Sequence, residues 1–561
     1  MAQFAWQYQS NLYFAPRGPQ LFQPAVHIVN VGLSVRDEER RWELVAFDNN
    51  LFGQQYDGAL VNTAGNGQQH RDSGRAATAF RALCRTAPGP ELLGARAGHE
   101  RGLVMTMKQV LLAGAVLALA TGAAIAAEAP RTVTPRPTEP TGVQPTSDAQ
   151  ARPPVDAPAL ARLGTHPVGL ARVELVQPAQ ADPLQGTDRP LVTARRLPTL
   201  VWYPAARAGT GTTYHAAMSG ADGRDVPFTL AGIATPEARA AAGRFPLVIL
   251  AHGYGNAPEA LAWLGENLAS KGYVVVAPAF GDPPISIRTA AARSGPITRR
   301  PLDIAFVAAE AQRRAARRDG VFAAADASRT VLIGYSMGGY GVLTAAGAPL
   351  NPQMGSLSRG ILTDYAAGGA RAASLKVANV KAVVAIAPAS HFGEVPAWSP
   401  TGAGAGVGAI TAPTLFIAGD HDRAVGYDAV RDLFARERRA PRYLLTFKGA
   451  GHSIALAGAP AEMRDTFWDM DWFEDAVWRK DRLLPIQAHF ITAFLDRFAK
   501  GETAMATYLD GLVEDADAGS WPDVPVGRYP GYSPGAPAVS VWKGFQPSRA
   551  TGLRFEAEPA S

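Results

Sequence analysis

The chain has 561 residues, 47% of them hydrophobic and 18% charged, enough to bury a large core. Its 54 Lys and Arg against 49 Asp and Glu leave a net charge of +5, a mixed surface and not the basic stripe of a nucleic-acid binder. The single cysteine, Cys84, excludes a disulfide scaffold and a Cys-rich zinc site, and it leaves the chain beyond it without a cysteine nucleophile or a lipid-anchoring cysteine.

Residues 1–104 mix isolated aromatics with Gly, Gln, Asn and Arg, and they show no sustained helical or strand period. They read as mis-assigned upstream translation or as a disordered segment, with a genuine N-terminal domain as the alternative. Residues 105–126 have the three parts of a secretory signal: Lys108, an apolar run over Val110–Ala120, and the small-residue cleavage site Ala124-Ile125-Ala126. A membrane-spanning helix is the other reading, but no basic stop-transfer cluster follows the apolar run. Translation from Met105 or Met107 and cleavage after Ala126 are expected, which makes the mature chain periplasmic or secreted with no membrane span. Residues 127–165, rich in Pro, Thr and Ala, are expected to form an extended linker.

Short apolar runs then alternate with helical stretches. The runs are "RVELVQ" at Arg172, "TLVWYP" at Thr199, "PLVILAHG" at Pro246, "YVVVAPAF" at Tyr273, "RTVLIGYS" at Arg329, "KAVVAIAP" at Lys381, "PTLFIAGD" at Pro413 and "RYLLTFKG" at Arg442. From the third onward they are nearly continuous, as in strands covered on both faces. The helical stretches begin at Pro258, at Pro301, where proline suits a first helical position, and at Leu483. This alternation predicts an α/β domain over 166–512, a mainly parallel eight-stranded sheet with helices on both faces. Residues 513–561 read as an irregular C-terminal extension.

Gly334-Tyr335-Ser336-Met337-Gly338 is G-x-S-x-G between a strand and a small-residue helix, the setting in which a serine is lifted above a sheet edge. A serine hydroxyl needs a base oriented by an acid, in the chain order Ser, Asp, His. His452 in "GAGHS" fits the base, and His489 reads as a helix-face residue. In "LFIAGDHDRAV" both Asp420 and Asp422 follow the strand. Asp422, three residues past Gly419, is the better placed to reach His452, and Asp420 suits a turn. The backbone N–H groups of Met337 and Tyr254 are the expected oxyanion donors. His252, His391 and His421 read as structural or loop residues, and no spacing of His and carboxylates suggests a metal site. Two long segments, one from Ala348 to Lys376 and one from Thr466 to Leu483, are candidates to shape the pocket. Trp468, Trp472 and Trp478 are candidate pocket walls, with core packing as the alternative.

From about His166 to Tyr508 the chain resembles bacterial dienelactone-hydrolase-like α/β hydrolases and the related plasma-type platelet-activating-factor acetylhydrolases. The resemblance is carried by "RRLPTLVWYPA", "FPLVILAHGYGNAPE", "GYSMGGYG", "AGDHDRAV" and "GAGHS". It implies the α/β-hydrolase fold and cofactor-free hydrolysis of a small-molecule carboxylic ester, and it places the acid at Asp422. Dienelactone hydrolases use a cysteine nucleophile where this chain has Ser336. A peptidase or amidase of the same fold, and a silent binding protein on a hydrolase scaffold, are the alternatives.

Overall fold

The computed structural model describes strand segments between residues 2 and 86 and the stretch 153–561, apart from 155, 187–188, 221, 285–286, 288, 400–404, 519–541 and 547–548. The chain divides into two compact units, Met1–Pro137 and Thr138–Ser561.

In the first unit, Ala2–Gln9, Val26–Arg36, Trp42–Asp48 and Arg81–Thr86 form a four-stranded sheet with every pairing antiparallel. The reading of residues 1–104 as lacking a strand period is corrected here. In Ala2–Gln9 the rings of Phe4, Trp6 and Tyr8 do alternate with smaller or polar residues, the period-2 pattern of a strand. The proposed signal at 105–126 and most of the proposed linker lie outside the described residues.

The second unit is built on a ten-stranded sheet. In chain order its strands are β1 (Val168–Asp182), β2 (Leu191–Pro204), β3 (Thr235–Pro236), β4 (Phe245–Ala251), β5 (Val274–Pro278), β6 (Ala325–Tyr335), β7 (Val380–Ile386), β8 (Thr414–Gly419), β9 (Arg442–Phe447) and β10 (Leu553–Glu558). Their spatial order is β3-β1-β2-β5-β4-β6-β7-β8-β9-β10. From β5 to β9 all neighbours are parallel, as are β3 and β1, while the β1–β2, β2–β5 and β9–β10 pairings are antiparallel. This is the α/β-hydrolase fold, and all eight expected runs are strands of the sheet. Successive side chains face opposite ways: Trp202, Val248 and Leu250 enter one apolar core, Tyr203, Leu247 and Ile249 the other. The first core is closed by α1 (Ala262–Ser270) and α5 (Lys480–Leu495), the second by α2 (Ala290–Arg317), α3 (Met337–Ala345) and α4 (Tyr427–Arg436).

Four further expectations are corrected. The sheet has ten strands, because the short β3 and the C-terminal β10 join it. The 513–561 extension is accordingly not irregular throughout. "LRFEAE" alternates apolar and polar residues, pairs with β9, and with Trp542 and Phe545 packs rings against Phe490. Likewise the end of the proposed linker is docked: Leu160 N–H donates to His489 Nδ1 at 3.1 Å and Lys271 Nζ donates to the Leu160 carbonyl at 2.6 Å. Finally, α2 begins at Ala290, capped by the Thr289 hydroxyl, and runs through Pro296 and Pro301. Proline 301 has no N–H for the Ile297 carbonyl, and the Tyr340 hydroxyl donates to that carbonyl instead, at 3.2 Å.

Candidate active site

Strand β6 ends at Tyr335 and α3 starts at Met337, so Ser336 takes the whole turn. Its backbone is at φ 53°, ψ −116°, a conformation that costs about 1–3 kcal/mol in a residue with a Cβ. The surroundings hold it there. A Cβ on Gly338 would lie 2.2 Å from the Ala251 carbonyl oxygen, and one on Gly334 would lie 2.3 Å from that of Gly338, so only glycine permits this approach of strand and helix. The Ser336 N–H donates to the Ile386 carbonyl at 2.9 Å.

Ser336 Oγ lies 3.0 Å from His452 Nε2, and His452 Nδ1 lies 2.7 Å from Asp422 Oδ2. The Asp422 side chain is fully buried. Its second oxygen accepts the N–H groups of Ala424 and Val425 at 2.8 and 3.1 Å. Burial alone would raise the Asp422 carboxyl. The hydrogen bond and charge of His452, with the two backbone donors, outweigh burial and hold it below the usual carboxylate range. Asp420 faces elsewhere: its Oδ1 accepts from Gly449 N–H and His421 Nδ1, both at 2.6 Å, closing the turn between β8 and the loop after β9. The structure therefore brings Ser336, His452 and Asp422 into one hydrogen-bonded line and leaves Asp420 out of it.

Met337 is the first residue of α3, so its N–H has no partner within the helix. Among the described residues neither it nor the Tyr254 N–H donates a hydrogen bond. Both residues border the cleft beside Ser336. His252 is buried behind the turn, with Nδ1 donating to the Gly253 carbonyl at 2.8 Å and Nε2 accepting from Phe280 N–H at 3.2 Å. Burial first, then the neighbouring Arg300, pushes its pKa down to about 3, and it stays neutral. His489 is likewise buried, in α5.

The loop carrying His452 is gripped from behind, carbonyl by carbonyl. The Tyr335 hydroxyl donates to the carbonyl of His452, Lys480 Nζ to those of Ser453 and Leu456, Gln487 to Ile454, and the Trp263 indole to Ala455. The Tyr335 ring also stacks on the imidazole at 5.2 Å. Sequence reasoning missed these partners, and it missed the buried Arg300–Asp282 pair under the Tyr254 turn. A signal for Arg300 was present: it sits four residues before Ile304, on the apolar stripe of α2.

A cleft of about 430 Å³ holds Ser336 and His452, with Trp468 and Trp472 on its wall. A second chamber of about 650 Å³ shares Tyr254, Met337, His391 and Phe392 with it and is bounded by Ile297 and Leu357. Both long segments thus contribute walls, Leu357 from the first and the two tryptophans from the second. Trp478 is core instead, its indole donating to the Lys448 carbonyl. Among the described residues no cluster of His, Cys, Asp or Glu could hold a metal ion, and no helix is long and apolar enough to cross a membrane.

A family model described as PETase: PET hydrolase-like matches residues 205–356. The match takes in the Tyr254 turn and the Ser336 elbow and ends before Asp422 and His452. It bears out the resemblance to esterase-type α/β hydrolases and supports a hydrolase acting on esters. A solved ferulic acid esterase from Streptomyces cinnamoneus is similar at 21% identity, over 62% of this chain and 93% of that one, with a TM-score of 0.39. No curated protein matches the chain.

Proposed function

We propose that this protein is an exported serine esterase that works through an acyl-enzyme. One observation carries the reading: the Ser336–His452–Asp422 line of hydrogen bonds, at a strained elbow beside two undonated N–H groups. Ser336 Oγ attacks the ester carbonyl carbon and its proton passes to His452 Nε2. Asp422 holds the proton on Nδ1 and stabilises the imidazolium. The carbonyl oxygen, now an oxyanion, accepts from Met337 and Tyr254 N–H. His452 gives its proton to the leaving alkoxide, then deprotonates the water that releases the acid and restores Ser336.

The leaving oxygen must come within reach of His452 Nε2, so the alcohol portion occupies the chamber that His452 lines. The acyl portion turns into the second chamber, beyond Met337. Chambers of this size suit soluble esters of short to medium acyl length, turned over without interfacial activation. The family match favours esters over amides.

The test is a panel of p-nitrophenyl esters from acetate to palmitate run beside peptide amides, with fluorophosphonate labelling of Ser336. Ester turnover and labelling, both lost in Ser336→Ala, are expected. Amide turnover exceeding ester turnover would assign a peptidase, and an unlabelled serine a binding protein.

A further inference from the structure

Beneath the Gly253–Gly255 turn, Arg300 from α2 meets Asp282 from the segment after β5, their side chains 0% and 1% exposed. The contact is a two-pronged fork: Nη2 to Oδ2 at 2.6 Å and Nη1 to Oδ1 at 3.0 Å. Both partners also hold the turn. Arg300 Nη2 donates to the Gly253 carbonyl at 2.8 Å and Nε to the His252 carbonyl at 3.4 Å, while Asp282 Oδ2 accepts from Gly255 N–H at 3.0 Å. The guanidinium carbon sits 3.8 Å over the centre of the Phe280 ring. Burial would raise the Asp282 carboxyl, but the charge and hydrogen bonds of Arg300 hold it low and ionised.

Stability is a weak reason for such a pair, because apolar residues of similar volume often serve as well or better. Its geometry supplies a stronger one. The Gly253 carbonyl and the Tyr254 N–H belong to one planar trans peptide unit and point in opposite directions. Arg300, together with the His252 Nδ1–H that donates to the same oxygen at 2.8 Å, holds the carbonyl end toward the interior, so the N–H end faces outward. Asp282 fixes the next unit through Gly255 N–H, in a turn where Gly255 takes φ 66°. One ion pair therefore contacts both peptide units that flank the Tyr254 Cα, with His252 as a second donor to the first of them. A donor on the carbonyl oxygen also polarises the amide and strengthens its N–H as a donor.

We propose that Arg300 and Asp282 are positioning residues whose role is to aim and polarise the Tyr254 N–H at the oxyanion. The proposal rests on the serine-ester reading above. It predicts an effect on the tetrahedral stage of the reaction and not on ester binding, since the bound ester carries no oxyanion.

The experiment uses Arg300→Lys and Asp282→Asn in the full chain, with p-nitrophenyl butyrate as substrate and an alkyl trifluoromethyl ketone as probe. Ser336 Oγ adds to the ketone carbon, its proton passes to His452, and the ketone oxygen becomes an oxyanion. Both variants are expected to fold, to lose kcat toward the roughly 10²–10³-fold that loss of one oxyanion donor costs, and to keep KM within about threefold. The ketone's inhibition constant should rise by the same factor as kcat/KM falls. In a Tyr254→Pro background, which lacks the N–H, neither substitution should lower kcat further. Four results would overturn the proposal: kcat within about threefold of wild type; lost kcat with unchanged ketone affinity; effects that add to that of Tyr254→Pro; or failure of both variants to fold, which makes the pair a pillar of the fold. A wild-type protein inert toward the ester removes the serine-ester reading and the pair's role with it, whereas an active wild type with unaffected variants removes only the latter.

Discussion

Asp422→Asn is the substitution whose outcome the structure determines most closely. The two oxygens of Asp422 have different partners: Oδ1 accepts two backbone N–H groups, from Ala424 and Val425, and Oδ2 accepts from His452 Nδ1. An asparagine has one oxygen and one NH₂. The two backbone donors claim the oxygen, because turning the NH₂ toward them would leave both unpaired and set donor against donor, at about 1–3 kcal/mol for each buried group. The NH₂ therefore faces His452 and donates to Nδ1, which puts the imidazole proton on Nε2, where Ser336 needs an acceptor. A wrong tautomer at this position costs about 10⁴ in kcat in the Ser-His-Asp template. The measurement is steady-state hydrolysis of p-nitrophenyl butyrate, with a melting curve to show that the fold is kept. Asp420→Asn is the control. Asp420 binds Gly449 N–H across the turn, and its loss should cost on the order of 1 kcal/mol of stability with kcat little changed. If Asp420→Asn is the inactive variant and Asp422→Asn turns over normally, the acid is misassigned.

Ser336→Gly should abolish turnover and also raise the unfolding free energy by about 1 kcal/mol, because glycine adopts φ 53° without strain; an unchanged or lower melting temperature refutes the strain argument. Burial pushes Glu437 up to about 8, against a partial opposing pull from Thr414 and Arg442. A carboxyl whose folded pKa is raised contributes stability that is full below its unfolded pKa and is lost as pH rises through the folded one, here between roughly 4.5 and 8. Glu437→Gln should flatten that slope in urea titrations taken across the range, and an identical slope contradicts it. Lys480→Met leaves the Ser453 and Leu456 carbonyls without a donor, so a stability loss of about 1–3 kcal/mol and a lower kcat are expected, read by urea unfolding and ester turnover; a variant equal to wild type in both removes Lys480 from the support of His452. Finally, the intact mass of the native protein should place its N-terminus near Ala127, and a mass that includes Met1 or Ala2 sinks the signal-peptide reading.

Much of the sheet was legible because parallel strands buried on both faces write long apolar runs, and "PLVILAHG" and "RTVLIGYS" carry little else. The hairpin of Thr213–Ser219 and Asp225–Ala231 was not, because half of its residues face solvent and its pairing is decided only on folding. Strand β10 is six residues whose place depends on β9, more than a hundred positions earlier. The start of α2 was misread because a proline that suits a first turn was taken to mark one, when a tyrosine hydroxyl from another helix supplies the carbonyl's missing partner. Ser336 stood out because its turn is written locally in glycines. Arg300, Asp282 and Lys480 did not, because what they do is fixed by hydrogen bonds to carbonyls and N–H groups far away in the chain.

That last distinction follows from how the site is assembled. Tyr254, Ser336, Asp422 and His452 follow the carboxyl ends of β4, β6, β8 and β9, and the sheet sets where those ends lie to within its register. It does not set which way the next peptide units turn. Irregular turns leave carbonyls and N–H groups unpaired, and where such turns are buried each group must find a partner or cost free energy comparable to a lost hydrogen bond. Here the partners are side chains from elements packed behind the cleft: Arg300 and Asp282 under the Tyr254 turn, and Tyr335, Lys480, Gln487 and Trp263 under the His452 loop. Satisfying the buried backbone and orienting the turns that carry Tyr254 and His452 are thus one requirement met by the same bonds. The rim escapes that requirement. Phe467, 76% exposed, and Trp468, 39% exposed, stand in a short helix at the cleft wall. Substitutions there can alter which ester is admitted while the line from Ser336 to Asp422 stays where the buried side chains hold it.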